Sequence, residues 1–206
     1  MTDSTKPRRA DARRNRDAVL AAAVRVLAER PEASMREIAE ASGFGRTTLY
    51  RHFPHRDDLV RALYGRVFET AHAIVESAVE SGRAAWAAGD PEDPDADALE
   101  VLVRMTLVLT DLGEQYRFLG AHRETGQQQL EAMAAEQGVE PLASYVAEGQ
   151  SRGQLRDDLT VAWITDVIHG LTMMGAQHVR NGAASAPELR EMLSRTVRGA
   201  IGPGAA

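Results

Sequence analysis

Apolar residues recur along this chain at three- and four-residue spacing, the period of a helix, and that pattern predicts helices in succession. Val19, Ala23, Val26 and Leu27 mark a first helix over 11–30, ended by Pro31. Ser34 followed by Glu37 is a capping box that opens a second helix with Met35, Ile38 and Ala39 on one face. Gly43 supplies the positive φ that ends it. Leu49 and Phe53, at i and i+4, anchor a third helix that Pro54 holds to little more than two turns. Asp57 and Asp58 suit the positive end of a fourth helix's dipole, and Leu59, Leu63, Val67, Ile74 and Ala78 carry it far beyond the first three.

The pattern predicts that this long helix breaks over 81–94, where the acidic stretch 89–94 reads as an exposed loop. Asp93 as cap and Pro94 at the first helical position then open a helix through about 112, apolar almost all round and therefore buried on most sides. A short segment at 116–122, a helix over 124–137, an interruption at 138–141 and a helix over 142–152 follow. The run 158–179 carries Ile164, Ile168, Leu171, Gly175 and His178. A second capping box, Ser185 with Glu188, begins a last helix through Leu189, Leu193 and Val197. These two striped helices fit either a four-helix bundle with their twins across a two-fold axis or the core of a single chain. The first ten residues and the tail 199–206 are expected to be poorly ordered.

Composition narrows the class. The chain has 206 residues, 44% of them hydrophobic, enough for one domain or two small ones with a real core. No apolar run approaches the ~20 residues that cross a bilayer, and the polar, basic start lacks the apolar core of a signal peptide, so the expected location is the cytoplasm. With no cysteine, disulfides, thiolate catalysis and cysteine-ligated metals are excluded. The net charge of −6 conceals a division: twelve Lys and Arg stand against seven Asp and Glu up to residue 56, and twelve against twenty-three beyond it. A basic head on an acidic body favours a polyanion at one end only. Arg8, Arg9, Arg13, Arg14 and Arg16 add a basic arm that suits phosphates or a minor groove, with a solvated tail as the plainer reading.

Residues 34–56, SMREIAEASGFGRTTLYRHFPHR, combine these signals. Two short helices joined by a glycine turn match the helix-turn-helix arrangement, whose second helix lies in the major groove of DNA, and a helical hairpin with a solvated polar face fits the same spacing. Thr47, Thr48 and Arg51 project away from Leu49 and Phe53, with Tyr50 and His52 beside them; arginine suits guanine or phosphate, and threonine offers a hydroxyl and a methyl. The same stretch resembles the DNA-binding signature of TetR/AcrR-type transcriptional regulators, especially Ile38-Ala39, Thr48-Leu49-Tyr50 and His52-Phe53-Pro54. Gly45 and His55 depart from it, standing where relatives carry small helix-capping residues. The resemblance covers roughly the first quarter of the chain, and beyond it extends to size and helical character.

The resemblance implies an all-α protein. Residues 1–56 would form a three-helix DNA-binding head, joined by a long helix to a ligand-binding and dimerisation domain over 57–206. The DNA-binding set is then Ser34, Arg36, Arg46, Thr47, Thr48, Tyr50, Arg51, His52 and Arg56, the last on phosphate. The dimer interface would use Ile164, Ile168, Leu171, Gly175, His178, Leu189, Leu193 and Val197. A homodimer would read a palindromic operator and repress, and a small-molecule effector would release it. Candidate pocket residues are Arg104, Met105, Leu109, Phe118, His122, Tyr145, Trp163 and His169, each equally suited to core packing, with Thr106 and Thr110 as further polar groups on the same helix. A constitutive repressor and a nonspecific DNA-binding protein are the alternatives. A helical enzyme fares worse: the six histidines make no site, and no HExxH, phosphate loop or nucleophile elbow occurs. No catalytic residue, metal, cofactor or membrane is expected.

Overall fold

The protein is described by a computed structural model covering residues 5–121, 140–180 and 185–204. The described residues form eight α-helices and one 3-10 turn, without a strand. They are α1 (Thr5–Glu29), α2 (Met35–Ser42), α3 (Arg46–His52), α4 (Arg56–Ala88), α5 (Ala98–Gln115), the 3-10 turn (Arg117–Ala121), α6 (Glu140–Ser151), α7 (Val161–Arg180) and α8 (Ala186–Ile201). The expected helix over 124–137 and most of the 138–141 interruption lie outside the described residues. The all-α class read from the periodicity is the one observed.

The described residues of Met1–Val67 and Gln115–Leu130 form one compact unit, and those of Phe68–Glu114 and Glu131–Ala206 a second. In the first, Val19, Ala23 and Leu27 of α1 are buried with Ile38 and Ala39 of α2, Leu49 of α3, Phe53, and Leu59 and Leu63 of α4. This unit runs past residue 56 and takes in the 3-10 turn. The Tyr64 hydroxyl donates to the Leu119 carbonyl at 2.7 Å, and Arg117 donates to the Ala28 carbonyl at 3.1 Å. Neither bond is visible in a hydrophobic pattern.

The second unit is built on Leu102 and Val101 of α5, Tyr145 and Val146 of α6, Ile164 and Ile168 of α7, and Val197 and Ile201 of α8. Arg198 of α8 donates to Glu100 of α5 at 2.9 and 2.7 Å, and Arg83 of α4 donates to Ser144 of α6 at 2.9 Å. On α5, Thr106 and Thr110 are buried and donate to the carbonyls of Leu102 and Thr106, each at 2.8 Å. Their hydroxyls are satisfied within the helix.

Several boundaries differ from the pattern. α1 begins at Thr5, not near residue 11: Pro7 falls in its first turn, where a missing N–H costs nothing. α4 does not break at 81 but continues to Ala88 and stops at Gly89, φ 71°, because Val79, Ala85 and Trp86 prolong its buried face. α5 starts at Ala98 because Asp97 caps it, accepting the Leu99 N–H at 2.8 Å; Asp93 instead closes a turn on the Asp95 N–H at 2.9 Å. The tail is helical as far as Ile201, whose side chain is fully buried.

Gly82 owes its place to Tyr145. The tyrosine ring stacks on Trp86 at 4.7 Å between centroids, and its hydroxyl is buried without a partner against the space a Cβ at position 82 would fill. Burial, with the nearby Asp95 charge second, raises the phenol above its ordinary range. Gly82→Ala is expected to destabilise the fold by about 2 kcal/mol through overpacking. Tyr145→Phe, which removes an unpaired polar atom, is expected to leave stability unchanged or raise it. Urea unfolding of the two variants checks both signs.

Candidate nucleic-acid interface

The outward face of α3 is set by the residues that it buries. Leu49 is fully buried, and Phe53, at the C-cap, is 1% exposed and donates its N–H to the Leu49 carbonyl at 2.8 Å. With that side fixed, Thr47, Tyr50 and Arg51 are exposed and Thr48 is half-buried. Tyr50, at 43% exposure, is the one large apolar surface on this helix. Among the described residues Arg51 holds no ion pair, and it is free to meet an anion. These four side chains form the small-polar, aromatic and cationic face read from the sequence.

α2 is positioned by its cap. The Ser34 hydroxyl donates to Glu37 Oε2 at 2.7 Å and accepts the Glu37 N–H at 3.3 Å, while the Ser34 N–H donates to the same carboxylate at 2.8 Å. These bonds hold the Glu37 carboxyl below its ordinary value. Ser34, expected among the DNA-binding residues, is thus committed to starting the helix. Gly43, φ 74°, ends α2 and turns the chain toward α3.

Glu40 bridges the two helices. Its Oε1 accepts from Arg36 Nε at 2.9 Å and from Arg46 at 2.8 Å, and these two arginines, Arg46 first, lower its pKa. Arg36 and Arg46 remain 67% and 55% exposed, so both keep donors on the surface beside α3. Sequence reasoning missed Glu40. The i,i+4 spacing to Arg36 was legible, but its bond to Arg46 depends on how the turn folds.

Two residues of the expected DNA-binding set are engaged within the chain. Arg56 was assigned to phosphate, yet its guanidinium donates to the Ala33 carbonyl and, at 2.9 Å, to that of Pro31. It fastens the start of α4 to the turn before α2, whose carbonyls have no helical partner. His52 was assigned to bases or phosphates, yet its Nε2 is buried without a partner and its ring leans on Phe53, centroids 6.3 Å apart. Arg16 lies over the other aromatic of this pair, 5.3 Å from the Phe53 centroid. Burial of Nε2, then the charges of Arg51 and Arg16, lower the His52 pKa from 6.5 and favour the neutral ring.

The second set of candidates separates. Ile164, Ile168, Leu189, Leu193 and Val197, expected at a dimer interface, are all buried within the chain. Leu171 packs against the same core. Gly175 is buried where a Cβ would crowd Leu193 and Thr110 at 2.8 and 2.9 Å. Of that group only His178 is exposed, its Nδ1 3.2 Å from the Met174 carbonyl. The apolar surface left on α7 and α8 is instead Trp163, Met173, Met174 and Met192, each 46–57% exposed.

Of the pocket candidates, Arg104 and Met105 line one open groove between α4 and α5. Tyr145 is core, Leu109 packs on the core of the second unit, and Phe118 is buried in the first unit. Trp163 and His169 are exposed on α7, and His122 lies outside the described residues. Among the described residues no cluster of His, Asp and Glu suits a metal ion, and no helix is long and apolar enough to cross a membrane.

A capped helix, a glycine turn and a short helix with an outward polar face, on the helical frame of the described residues, make a helix-turn-helix arrangement. Residues 19–63 match the sequence profile of bacterial regulatory proteins of the tetR family. The transcriptional repressor LfrR of Mycolicibacterium smegmatis is 46% identical over 65 residues, 32% of this chain and 34% of LfrR, so the aligned stretch spans about a third of that relative. The transcriptional regulator NfxB of Pseudomonas aeruginosa is 28% identical over 186 residues, 86% of this chain and 89% of NfxB. The crystal structure of LfrR in complex with proflavine superposes with a TM-score of 0.57 at 25% identity, covering 90% of this chain and 94% of LfrR. The chain is thus similar to TetR-family DNA-binding transcriptional regulators, most closely over the stretch that holds the helix-turn-helix.

The half-buried His52, whose Nε2 is buried and whose pKa is lowered, makes the head sensitive to pH. The unfolded chain takes up a proton near the ordinary value of 6.5 and the folded chain only below it, so the contribution of the neutral ring is complete above 6.5 and is lost as pH falls through that range. Between about pH 8 and pH 5.5 the parent is therefore expected to lose more stability in urea unfolding than His52→Phe. Equal losses would show that the ring is not held neutral by burial.

Proposed function

We propose that this chain is a homodimeric repressor that acts in the cytoplasm, reads a palindromic operator with Thr47, Thr48, Tyr50 and Arg51, and is released by a small molecule. Residues 1–56 act as the reading head and 57–206 as the effector and dimerisation domain. The carrying observation is the face of α3: four side chains suited to base edges and phosphates stand outward because Leu49 and Phe53 hold the opposite side in the core. Arg36 and Arg46, anchored by Glu40 beside this face, supply positive charge that is not sequence-selective. The head is basic and the remainder acidic, which favours approach to DNA head first.

Dimerisation is supported by Trp163, Met173, Met174 and Met192, a set of large apolar side chains that water covers in the single chain. Two copies related by a two-fold axis require two inverted half-sites, hence a palindrome. Release requires only that the effector bind more tightly to the form that does not fit the operator. The relative LfrR has been seen with proflavine bound, which supports a small-molecule site in the same class of fold.

Selection of tight-binding duplexes from a random pool, followed by titration, tests the reading. Tyr50→Ala and Arg51→Ala are each expected to cost about tenfold or more in affinity for the selected operator, with melting temperature unchanged. Parent-like binding by both would remove α3 as the reading face.

For the dimer, Met174→Glu is expected to give a folded monomer by sedimentation equilibrium, because its side chain lies outside the core. Leu193→Asp, at a buried position, is expected to unfold the domain instead. A well-folded parent monomer at micromolar concentration would overturn the dimer.

A further inference from the structure

We propose that α1 is a second DNA-contacting helix of the head, its arginine stripe at positions 9, 13 and 16 holding backbone phosphate beside the groove that α3 reads. The proposal rests on α3 as the reading face and adds a contact from another element. α1 runs from Thr5 to Glu29, and Leu20, Ala23 and Leu27 stand in it at three- and four-residue spacing, each buried in the core of the head. Counted back along the helix at the same spacing, the series continues through positions 16, 13 and 9, and all three are arginine. Burial begins only at Val19, and residues 14–18 are exposed. The stripe that faces the core thus turns from apolar to cationic where burial ends.

Arg16 fixes where this stripe lies. Its guanidinium stands over the Phe53 ring, 5.3 Å from the centroid, at the C-cap of α3, and the residue is exposed. After burial, the charges of Arg51 and Arg16 oppose protonation of the His52 ring, so cations from two helices gather at one end of α3. Among the described residues neither arginine holds an ion pair. Residues 5–20 carry six Lys and Arg against two Asp, and Asp11 and Asp17 both stand off the stripe. Like charges gathered without a matching acid in the series favour an anion.

The helical form of α1 selects which part of a duplex it meets. A helix with its side chains is ~10 Å across, too wide for a minor groove of ~6 Å. A basic arm enters that groove as extended chain, whereas this one is helical from Thr5. The major groove is occupied by α3 on the reading above. The phosphate backbone remains, and arginine binds it without regard to sequence. Arg16 and its stripe partners therefore set how tightly the head holds any duplex, and Thr47, Thr48, Tyr50 and Arg51 set which one.

Fluorescence anisotropy of the full chain on its selected operator and on a scrambled duplex of equal length, each over a range of salt, tests the contact. Arg16→Met keeps an apolar stem over Phe53 and removes the charge. It is expected to weaken both duplexes by the same factor, about fivefold, and to lower the slope of log K against log salt by about 0.9 per head, with melting temperature retained. Arg16→Lys, which restores the charge, should return the slope to that of the parent. Arg9→Met combined with Arg13→Met, N-terminal to the buried part of the stripe, should lower the slope by about 1.8 per head, and carries the test if Arg16→Met does not fold.

A parent-like slope in folded Arg16→Met or in the double variant overturns the proposal and leaves Arg16 as a cover for Phe53. So does a loss confined to the operator, because a phosphate contact does not discriminate between sequences. The two readings fail separately. Parent-like operator binding by Tyr50→Ala and Arg51→Ala removes α3 as the reading face, whereas the salt slopes of the α1 variants report on the arginine stripe alone.

Discussion

Seven residues do not hold a helix in water by themselves, and everything that faces outward from α3 depends on burying Leu49 and Phe53. α3 carries no side-chain cap at its start, since Gly45 has no side chain to offer. The helix is instead clamped from the inside, by two apolar anchors in a core shared with α1, α2 and the first turns of α4. Removing that burial would leave Thr47, Tyr50 and Arg51 on a flexible loop, where no orientation toward a base edge is fixed.

The polar interactions of the head are arranged around this clamp. Ser34 and Glu37 start α2, Gly43 ends it, Glu40 ties Arg36 to Arg46 across the turn, and Arg56 fastens the chain after α3 to the carbonyls before α2. All but the Arg56 contact are exposed bonds of modest energy. Their effect is to fix direction, so that a small set of side chains, Thr47, Thr48, Tyr50 and Arg51, is left uncommitted among the described residues. His52 shows the opposite case: one turn of the same helix places its Nε2 in the apolar layer, where neutrality is the cheaper state.

The second unit spends its apolar stripes internally. Ile164, Ile168, Leu189, Leu193 and Val197 fill the core between α7, α8 and α5, and Gly175 permits close approach at Thr110 and Leu193. What remains on the surface is a different set, Trp163, Met173, Met174 and Met192. A stripe wide enough to be recognised in sequence is wide enough to be consumed by the chain's own core. Surface apolar residues one helical step away from it are the ones left for a partner.

The sequence by itself determined the helical class, the order of the elements and the two capping boxes, because these rest on local spacing and on bonds between residues three or four apart. It also determined the outward side of α3, since Leu49 and Phe53 leave only one face free. Tertiary structure decided what local spacing does not encode. The length of α4 follows from Tyr145 and Trp86 packing near Gly82, the role of Arg56 from carbonyls over twenty residues away, and the burial of the His52 Nε2 from Phe53 and its neighbours. The two groove candidates that came together, Arg104 and Met105, did so because α5 lies beside α4, whereas Trp163 and His169 sit on a face of α7 turned to solvent. Arginine, histidine and tryptophan each serve a surface, a core or a partner equally well by type. Which of these a given side chain does is settled by the atoms that happen to surround it, and only the folded chain supplies them.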